Sequence, residues 1–470
     1  MKKMAPEKSS FAVSLVATLL CGACFCARAA ERPVDAPSRA APEAGTINSP
    51  PPSRTFSLSA CFDKADRFNR ELLSARWNLP IAEAAIKIAG AIPNPQFELQ
   101  AGFGPTFRYL YTGQTQQIGW TEELQTAGKR SKKVNLARAN YELTKIQLDA
   151  LRFDVHNRVR RAYAELAAAE AFEALIEAQR SVSLTLLDIA QKRFDAGKAP
   201  HTEVLQSELN VVQFDTQRNQ AQSRLQQSSA ALALITGEKP EKIEVIDVDD
   251  NGLFKLSAEK TEIVPSPERA LPDLADLRAT AFAQRLDLKA ATQQVFVARK
   301  ALSVARAQRV PDVFVSAGYT YAQFSQHQPP NLVPFSNWLG NGVFLGVSAE
   351  NPVFYQHQGE VQQCQAALRQ SSRQVDLLKS QIAADLIASY NAVQVARANI
   401  FLFQDDLLPT AAQVSKLARR GYQVGSTDLA TAIVAQQQYQ QVLSNYFDSV
   451  VAYQNAWADL EKAVGVPLAL

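Results

Sequence analysis

From Lys129 to Ala196 the sequence contains neither glycine nor proline. Ala, Gln, Leu, Arg and Glu dominate it, the composition of long helices and coiled coils. A continuous helix over this stretch reaches roughly 100 Å at about 1.5 Å per residue. Ordinary globular helices average about three turns, so such a rod demands a coiled or tubular architecture. A second stretch, Gln358 to Tyr422, is similar but carries Pro409. Proline removes one intrahelical hydrogen bond and is expected to kink that rod.

The two rods belong to a chain written twice. Asn69-Arg70-Glu71-Leu72 recurs loosely as Arg285-Leu286-Asp287-Leu288. Pro93 answers to Pro311, Tyr163 to Tyr390, Gly197 to Gly425, Leu232 to Leu460 and Gly237 to Gly465. The separation grows between the prolines and the tyrosines, which places an insertion near Ser325 to Asn341. Each half has one order of elements. A helical run (Leu58 to Ala91, Leu274 to Val310) ends at proline, two short alternating runs follow, then a long helix, a glycine turn and a shorter returning helix. The boundaries read as a first repeat over 56–255, with strands near 96–104 and 116–124, a long helix 129–196 and a return helix 202–236. A linker over 256–270 leads to a second repeat over 271–470, with strands near 313–322 and 342–350, a long helix 358–422 and a return helix 427–464. Gly197 and Gly425 mark the reversals, with Thr202 and Ser426 or Thr427 as expected caps.

The alternating runs read as strands. Phe97, Leu99, Ala101 and Phe103 alternate with polar or small residues; so do Val313, Val315, Ala317, Tyr319 and Tyr321, Phe314 excepted, and Val343, Leu345 and Val347 continue the pattern around Phe344. Ile118, Trp120 and Leu124 do so more weakly. Runs of about ten residues suit a tilted strand crossing a bilayer. On that reading Phe97, Leu99, Phe103, Trp120, Val313, Val315, Tyr319, Val343, Leu345 and Val347 face lipid, with Tyr109, Tyr111, Trp120, Tyr319 and Tyr321 as an interfacial girdle. Half-buried hairpins of a soluble domain are the alternative. Four spanning strands cannot close alone, because the smallest membrane barrels have about eight. An open edge in lipid strands backbone groups at several kcal/mol each. Three copies give a twelve-stranded barrel with room for a pore. The fold class expected is a mixed α+β membrane protein with a trimeric outer-membrane β-barrel, a long α-helical coiled-coil barrel and an internal twofold repeat. The loops 105–116 and 325–341 are then expected outside the cell.

The N-terminus reads as an export signal over 1–29. Lys2, Lys3 and Lys8 precede the apolar run Phe11 to Cys26, which is short for a span, and Ala27-Arg28-Ala29 supplies a small-x-small cleavage pattern. Lipidation at Cys24 is the rival reading, although Cys21 stands where a lipoprotein signal usually has leucine. Residues 30–55 are rich in Pro, Ala and Ser, a flexible tether. Only Cys61 and Cys364 follow, which gives no disulfide framework.

The order helix, hairpin, long helix, glycine turn and helix, given twice, resembles the TolC outer-membrane efflux protein family over nearly all of the mature chain. Ile92-Pro93-Asn94-Pro95, Gln125-Thr126-Ala127-Gly128-Lys129-Arg130, Leu408-Pro409 and Arg420-Gly421-Tyr422-Gln423-Val424-Gly425 carry the likeness. The Gly-Lys-Arg element is most similar to the branch serving cobalt–zinc–cadmium exporters. The resemblance implies a passive homotrimeric channel in the outer membrane of a Gram-negative cell. It also implies periplasmic tips at Gly197, Gly425, Tyr422 and Val424, docked to a periplasmic adaptor and through it to an inner-membrane pump of the RND type. The cargo expected is small solutes, divalent heavy metals or drugs, with type I protein secretion as the competing use. Family channels are often closed by acidic residues on the returning helices. Glu203 aligns with one such position, Asp428 lies nearby, and Thr431 and Val434 occupy the aligned second-repeat positions, leaving helix-start charge stabilisation as the alternative role for both acids.

Enzymatic chemistry is not indicated. His156, His201, His327 and His357 are scattered, without a His-x-x-Glu-His, Cys-x-x-Cys or phosphate-cradling loop. Methionine occurs only at Met1 and Met4, which rules out a thioether relay for Cu(I) in the mature chain. A formal net charge of +3 over 470 residues leaves no footprint for nucleic acid. No cofactor is implied. A periplasmic coiled-coil adaptor or scaffold is the alternative from another class, and it would not need four alternating runs placed before the rods.

Overall fold

The computed structural model describes residues 57–102, 113–237, 264–265, 271–324, 342–350 and 352–468. The leader with Cys24, the tether, most of the 256–270 linker, Phe103 and most of both extracellular-loop candidates lie outside the described residues.

The first helical run is three helices, α1 (Leu58–Phe68), α2 (Arg70–Arg76) and α3 (Asn78–Gly90). Ser57 starts α1 by accepting the Ala60 N–H at 3.2 Å. The break after α1 falls at Asn69, whose backbone is extended (φ −62°, ψ 119°) and whose Oδ1 caps the Leu72 N–H at 3.0 Å. Strand β1 (Gln96–Gly102) and strand β2 (Gly113–Leu124) follow, then α4 (Lys129–Asp195) and α5 (His201–Thr236). The second run is two helices, α6 (Leu274–Gln284) and α7 (Leu286–Gln308), broken at Arg285 with the same extended backbone (φ −60°, ψ 121°). Strands β3 (Val313–Phe324) and β4 (Gly342–Ala349) lead into α8 (Gln358–Leu402). The second rod is not one smooth helix. A π-helical turn, Phe403–Leu407, separates α8 from α9 (Leu408–Val424), and α10 (Leu429–Val464) returns. The wide turn lies just before Pro409, whose ring cannot donate and crowds the preceding turn, and the extra backbone makes room for it.

The sheet is an antiparallel meander in the order β1-β2-β3-β4, so the two hairpins meet at β2 and β3. Phe97 lies opposite Trp120, Trp120 opposite Ala317, Ala317 opposite Leu345. Paired residues share a face, and apart from Glu122 opposite Val315 the face is mainly apolar across all four strands: Leu99 with Ile118, Ile118 with Tyr319, Val315 with Val347. On the other face are Glu98, Gln100, Gln117, Thr121 and Ser316, with Phe344 lying across Gly318.

Below the sheet, helices stand side by side. Near it the packing order is α3, α4, α7, α8; farther along it is α5, α4, α10, with α8 and α9 on the far flank. The main core lies where α1, α4, α8 and α10 converge, roughly 40 Å along α4 at about 1.5 Å per residue. Val155, Val159, Leu166, Tyr446, Val450 and Trp457 fill it. Arg160 of α4 reaches Glu461 of α10 at 3.2 Å with both side chains nearly enclosed, and Arg161–Asp459 and Lys462–Asp154 flank that pair.

The twofold repeat is visible in atomic detail. Each return helix ends on a left-handed glycine, Gly237 (φ 74°) or Gly465 (φ 83°), against the helix break of its own repeat. Asn69 Nδ2 donates to the Ile235 carbonyl at 2.8 Å, and Arg285 Nη1 donates to the Ala463 carbonyl at 3.4 Å. A Cβ at Gly237 would lie 2.5 Å from the Phe68 carbonyl oxygen, and one at Gly465 2.6 Å from the Arg285 Cα. At Gly197 and Gly425 a Cβ would meet nothing within 4 Å. Gly197→Ala and Gly425→Ala should therefore cost only the left-handed backbone, about 1–2 kcal/mol. Gly237→Ala and Gly465→Ala should cost clearly more in detergent thermal unfolding; equal losses at all four sites would contradict the packing described.

Candidate functional site

Two regions collect the residues singled out from the sequence: the far ends of the rods and the apolar sheet face.

At the rod ends, both long helices stop in the same hydrogen-bonded cap. The Lys198 N–H reaches back to the Arg193 carbonyl at 2.8 Å, and the Ser426 N–H to the Gly421 carbonyl at 2.8 Å. Gly197 (φ 68°) and Gly425 (φ 81°) supply the left-handed residue each cap requires. The helix starts that follow differ from expectation. Thr202 lies inside α5, whose first turn follows Pro200 without a side-chain cap. Proline at that position fixes φ for the turn, so a hydroxyl cap is not needed. Asp428, not Ser426 or Thr427, caps α10 by accepting from the Thr431 N–H at 3.4 Å and from its hydroxyl. The Thr431 hydroxyl holds the Asp428 carboxyl below its usual range.

Tyr422 is 0% exposed and packs with Leu186, Leu429 and Ala432, tying α9 to α4 and α10. Its hydroxyl donates to Glu203 Oε2 at 2.9 Å. Arg193 lies 4.6 Å over the same ring and donates to the Tyr422 carbonyl at 3.0 Å. Glu203 is thus held by the opposite repeat, with a guanidinium on the far side of its partner. Val424 stands 80% exposed beside this cluster. The structure brings Glu203, Tyr422, Gly197 and Gly425 to one end; Asp428 and Thr431 bond each other. Arg193 was missed from sequence, although its place one residue before Phe194, close to the glycine turn, was a signal.

The Gly128-Lys129-Arg130 element has a structural use. Lys129 Nζ meets Asp312 Oδ2 at 2.7 Å, Thr126 donates its N–H to Asp312 Oδ1 at 2.9 Å and its hydroxyl to the Pro311 carbonyl at 2.6 Å. Arg130 Nε donates to the Gly90 carbonyl at 2.6 Å. The Lys129 and Thr126 bonds join the first repeat to the second beneath the sheet, while the Arg130 bond ties α4 to α3 within the first. Among the described residues no group of three His, Cys, Asp or Glu side chains stands ready to hold a metal ion.

On the sheet, Phe97, Leu99, Trp120, Val315, Tyr319, Val343, Leu345 and Val347 are all exposed, while Val313 is half-buried. Their neighbours Ile118 and Leu124 are exposed too. An uncovered apolar sheet face of this extent, with an unpaired strand at either side, does not suit water.

The family described as outer membrane efflux protein matches residues 62–238 and 277–466, one segment per repeat. The chain belongs to that family. It is a transport protein rather than an enzyme, with the general role of an outer-membrane efflux channel. The chain is 23% identical to the cobalt-zinc-cadmium resistance protein CzcC of Cupriavidus metallidurans over 414 residues, 87% of this chain and 90% of that one. It is 22% identical to the outer membrane protein TolC of Vibrio cholerae over 424 residues, again 87% and 90%. The solved structure of CusC shares the fold with a TM-score of 0.68 at 17% identity, over 88% of this chain and 94% of that one.

Burial, then the bond to Glu203, pushes the Tyr422 phenol up to about 12. A raised phenol pKa means the folded state favours the protonated form. The contribution is therefore whole below pH 10 and is lost as pH rises towards about 12. Alkaline titration of phenolate absorbance should show Tyr422→Phe losing part of the highest-pH component, which Tyr453, also near 12, continues to supply. Loss instead from the component near the ordinary tyrosine range would place Tyr422 in water.

Proposed function

We propose that three copies of this chain close into a ring whose twelve strands form an outer-membrane barrel and whose rods form a coiled-coil conduit reaching through the periplasm. The observation that carries this reading is the four-stranded sheet with one apolar face and two unpaired edges, β1 and β4. In lipid each unpaired backbone group costs several kcal/mol, and ring closure pairs them. The lower helices support it: Leu205, Leu209 and Val212 are exposed along α5 on one flank, and Val414 and Leu417 on α9 on the other. A head-to-tail contact between unlike flanks generates a closed ring.

On this reading the rod ends, with Gly197, Gly425, Tyr422 and Val424, dock to a periplasmic adaptor that couples the channel to an RND-type inner-membrane pump. The channel itself is passive. The β1–β2 and β3–β4 connections face outside, the first of them shorter than 105–116 because Gly113 to Gln116 belong to β2. The cargo is small solutes, and the likeness to a cobalt-zinc-cadmium resistance protein favours divalent heavy-metal cations over drugs. Glu203 is the acidic group closest to a gate, and around a threefold axis it would favour cations. Asp428, bonded to Thr431, serves its own helix start.

The mature protein extracted in mild detergent should have the native mass of three chains; a stable monomer or dimer would remove the reading. Loss of the gene should sensitise cells to Co, Zn, Cd or Ni. Unchanged metal tolerance with raised drug or dye sensitivity would move the cargo to general efflux while leaving the channel in place.

A further inference from the structure

One junction between repeats lies wholly within the chain. β2 stands beside β3 with Trp120 opposite Ala317 and Glu122 opposite Val315. Beneath it come the Lys129–Asp312 ion pair at 2.7 Å and the two Thr126 bonds. Lower still α4 packs on α7, where Gln293 Nε2 donates to the Ala139 carbonyl at 2.9 Å. A ring of repeats requires a second junction, from the second repeat of one copy to the first repeat of the next. The flanks for it are bare. α3 has no buried residue although Trp77, Ile81 and Ile88 lie on it or at its start. On the opposite flank, Leu377 and Ile387 of α8 are exposed, and Phe354, just before α8, is 99% exposed.

We propose that the second junction repeats the geometry of the first, with β4 of one copy beside β1 of the next in the register that sets Val347 opposite Leu99 and Ala349 opposite Phe97. This deepens the ring reading and rests on it. The register follows from the repeat. Laying Pro93 on Pro311 places Phe97 on Val315 and Leu99 on Ala317. Phe97 pairs with Trp120 as Val315 pairs with Val347, so Trp120 falls on Val347 and Glu122, two residues on, falls on Ala349. The observed Trp120–Ala317 and Glu122–Val315 pairs then become Val347–Leu99 and Ala349–Phe97.

Two independent features agree with that register. All four residues belong to the apolar face, whereas a shift by one residue would turn one whole strand over. Beneath the strands, the separation that lays Trp120 on Val347 also lays Tyr163 of α4 on Tyr390 of α8. Gln356 therefore takes the place of Lys129, and Asn94, one after Pro93, takes the place of Asp312. A charged pair within the chain becomes a pair of amides between copies, which still match as donor and acceptor. The connection from β4 to α8 is longer than that from β2 to α4. It carries Phe354, and the exposed Ile92 precedes Pro93 on the opposing flank, so both are covered as the copies meet.

The test is disulfide trapping in the full chain carrying Cys61→Ser and Cys364→Ser. Val347→Cys with Leu99→Cys should give covalently linked trimer on oxidation. Ser348→Cys with Glu98→Cys, the neighbouring pair in the same register, is run alongside because the two pair types differ in Cα separation. Pairs shifted by two residues, Val347→Cys with Phe97→Cys or with Ala101→Cys, should link several-fold less. Stronger linkage of a shifted pair, or no linkage of any pair in a protein whose native mass is that of a trimer, would overturn the register alone. A monomeric native mass would overturn the ring and the register together.

Discussion

Backbone hydrogen bonding at the two edges of the sheet constrains everything else in this molecule. β1 and β4 each pair on one side only, and the face they share is apolar from Phe97 to Val347. In water, exposed strand edges are commonly blunted by charge or proline; here the edge strands carry Leu99, Val343 and Leu345. Lipid accepts the face but not the edges. In the proposed ring another copy pairs with these edges, and the bare flanks of α3, α5, α8 and α9 continue the same demand down the rods.

The rods themselves depend on side-by-side packing. α4 has 67 residues, and its apolar residues do not keep to one stripe along its length. That is what a helix shows when its neighbours change. Near the sheet it lies between α3 and α7, and farther on between α5 and α10. The enclosed Arg160–Glu461 pair sits where this exchange occurs, at the level of the main core. Burial raises the Glu461 carboxyl, and Arg160 pulls it back. Replacing Arg160 would leave Glu461 enclosed without a counter-charge, held only by the Trp457 and Leu468 N–H groups, so the pair specifies how repeat one meets repeat two more than it stabilises either.

Much of this was legible in the sequence because the signals were long. A stretch from Lys129 to Ala196 without Gly or Pro has few alternatives to helix, and four alternating runs placed symmetrically before two rods have few alternatives to paired hairpins. Short signals carried less. Thr202 looked like a cap but is preceded by Pro200, which starts α5 one residue earlier. Pro409 marked an interruption of the second rod, but that it takes the form of a π-helical turn is a detail no residue type announces. The break at Asn69 was invisible as a break because Arg70-Glu71-Leu72 continues a helical pattern; the bond from Asn69 to the Ile235 carbonyl is tertiary. The Gly128-Lys129-Arg130 element read as a marker of cargo, while its contacts are those of a clasp to Asp312. At the rod ends, composition located the glycines but not the Glu203–Tyr422–Arg193 cluster, which needs two repeats in register to exist.

Register is the remaining question, because rods rich in Ala, Gln and Leu can slide past one another at little cost. A buried polar layer answers it. Ser183 of α4 accepts from Asn210 Nδ2 of α5 and from Gln436 Nε2 of α10, each at 3.0 Å, and Gln436 also donates to the Gln179 carbonyl at 2.9 Å. All three helices meet at one level, and sliding any of them by a turn would strand several enclosed polar groups at about 1–3 kcal/mol apiece. The twofold-related positions hold Leu407, Ala411 and Gln438 in the second repeat and Glu208 in the first, so the layer is not copied by the repeat. It marks one level at which α10 of the second repeat finds both helices of the α4–α5 hairpin of the first. Buried polar residues in coiled coils fix register at a cost in stability. In a chain whose rod ends must arrive together for Tyr422 to reach Glu203, that cost is the one the long helices have reason to carry.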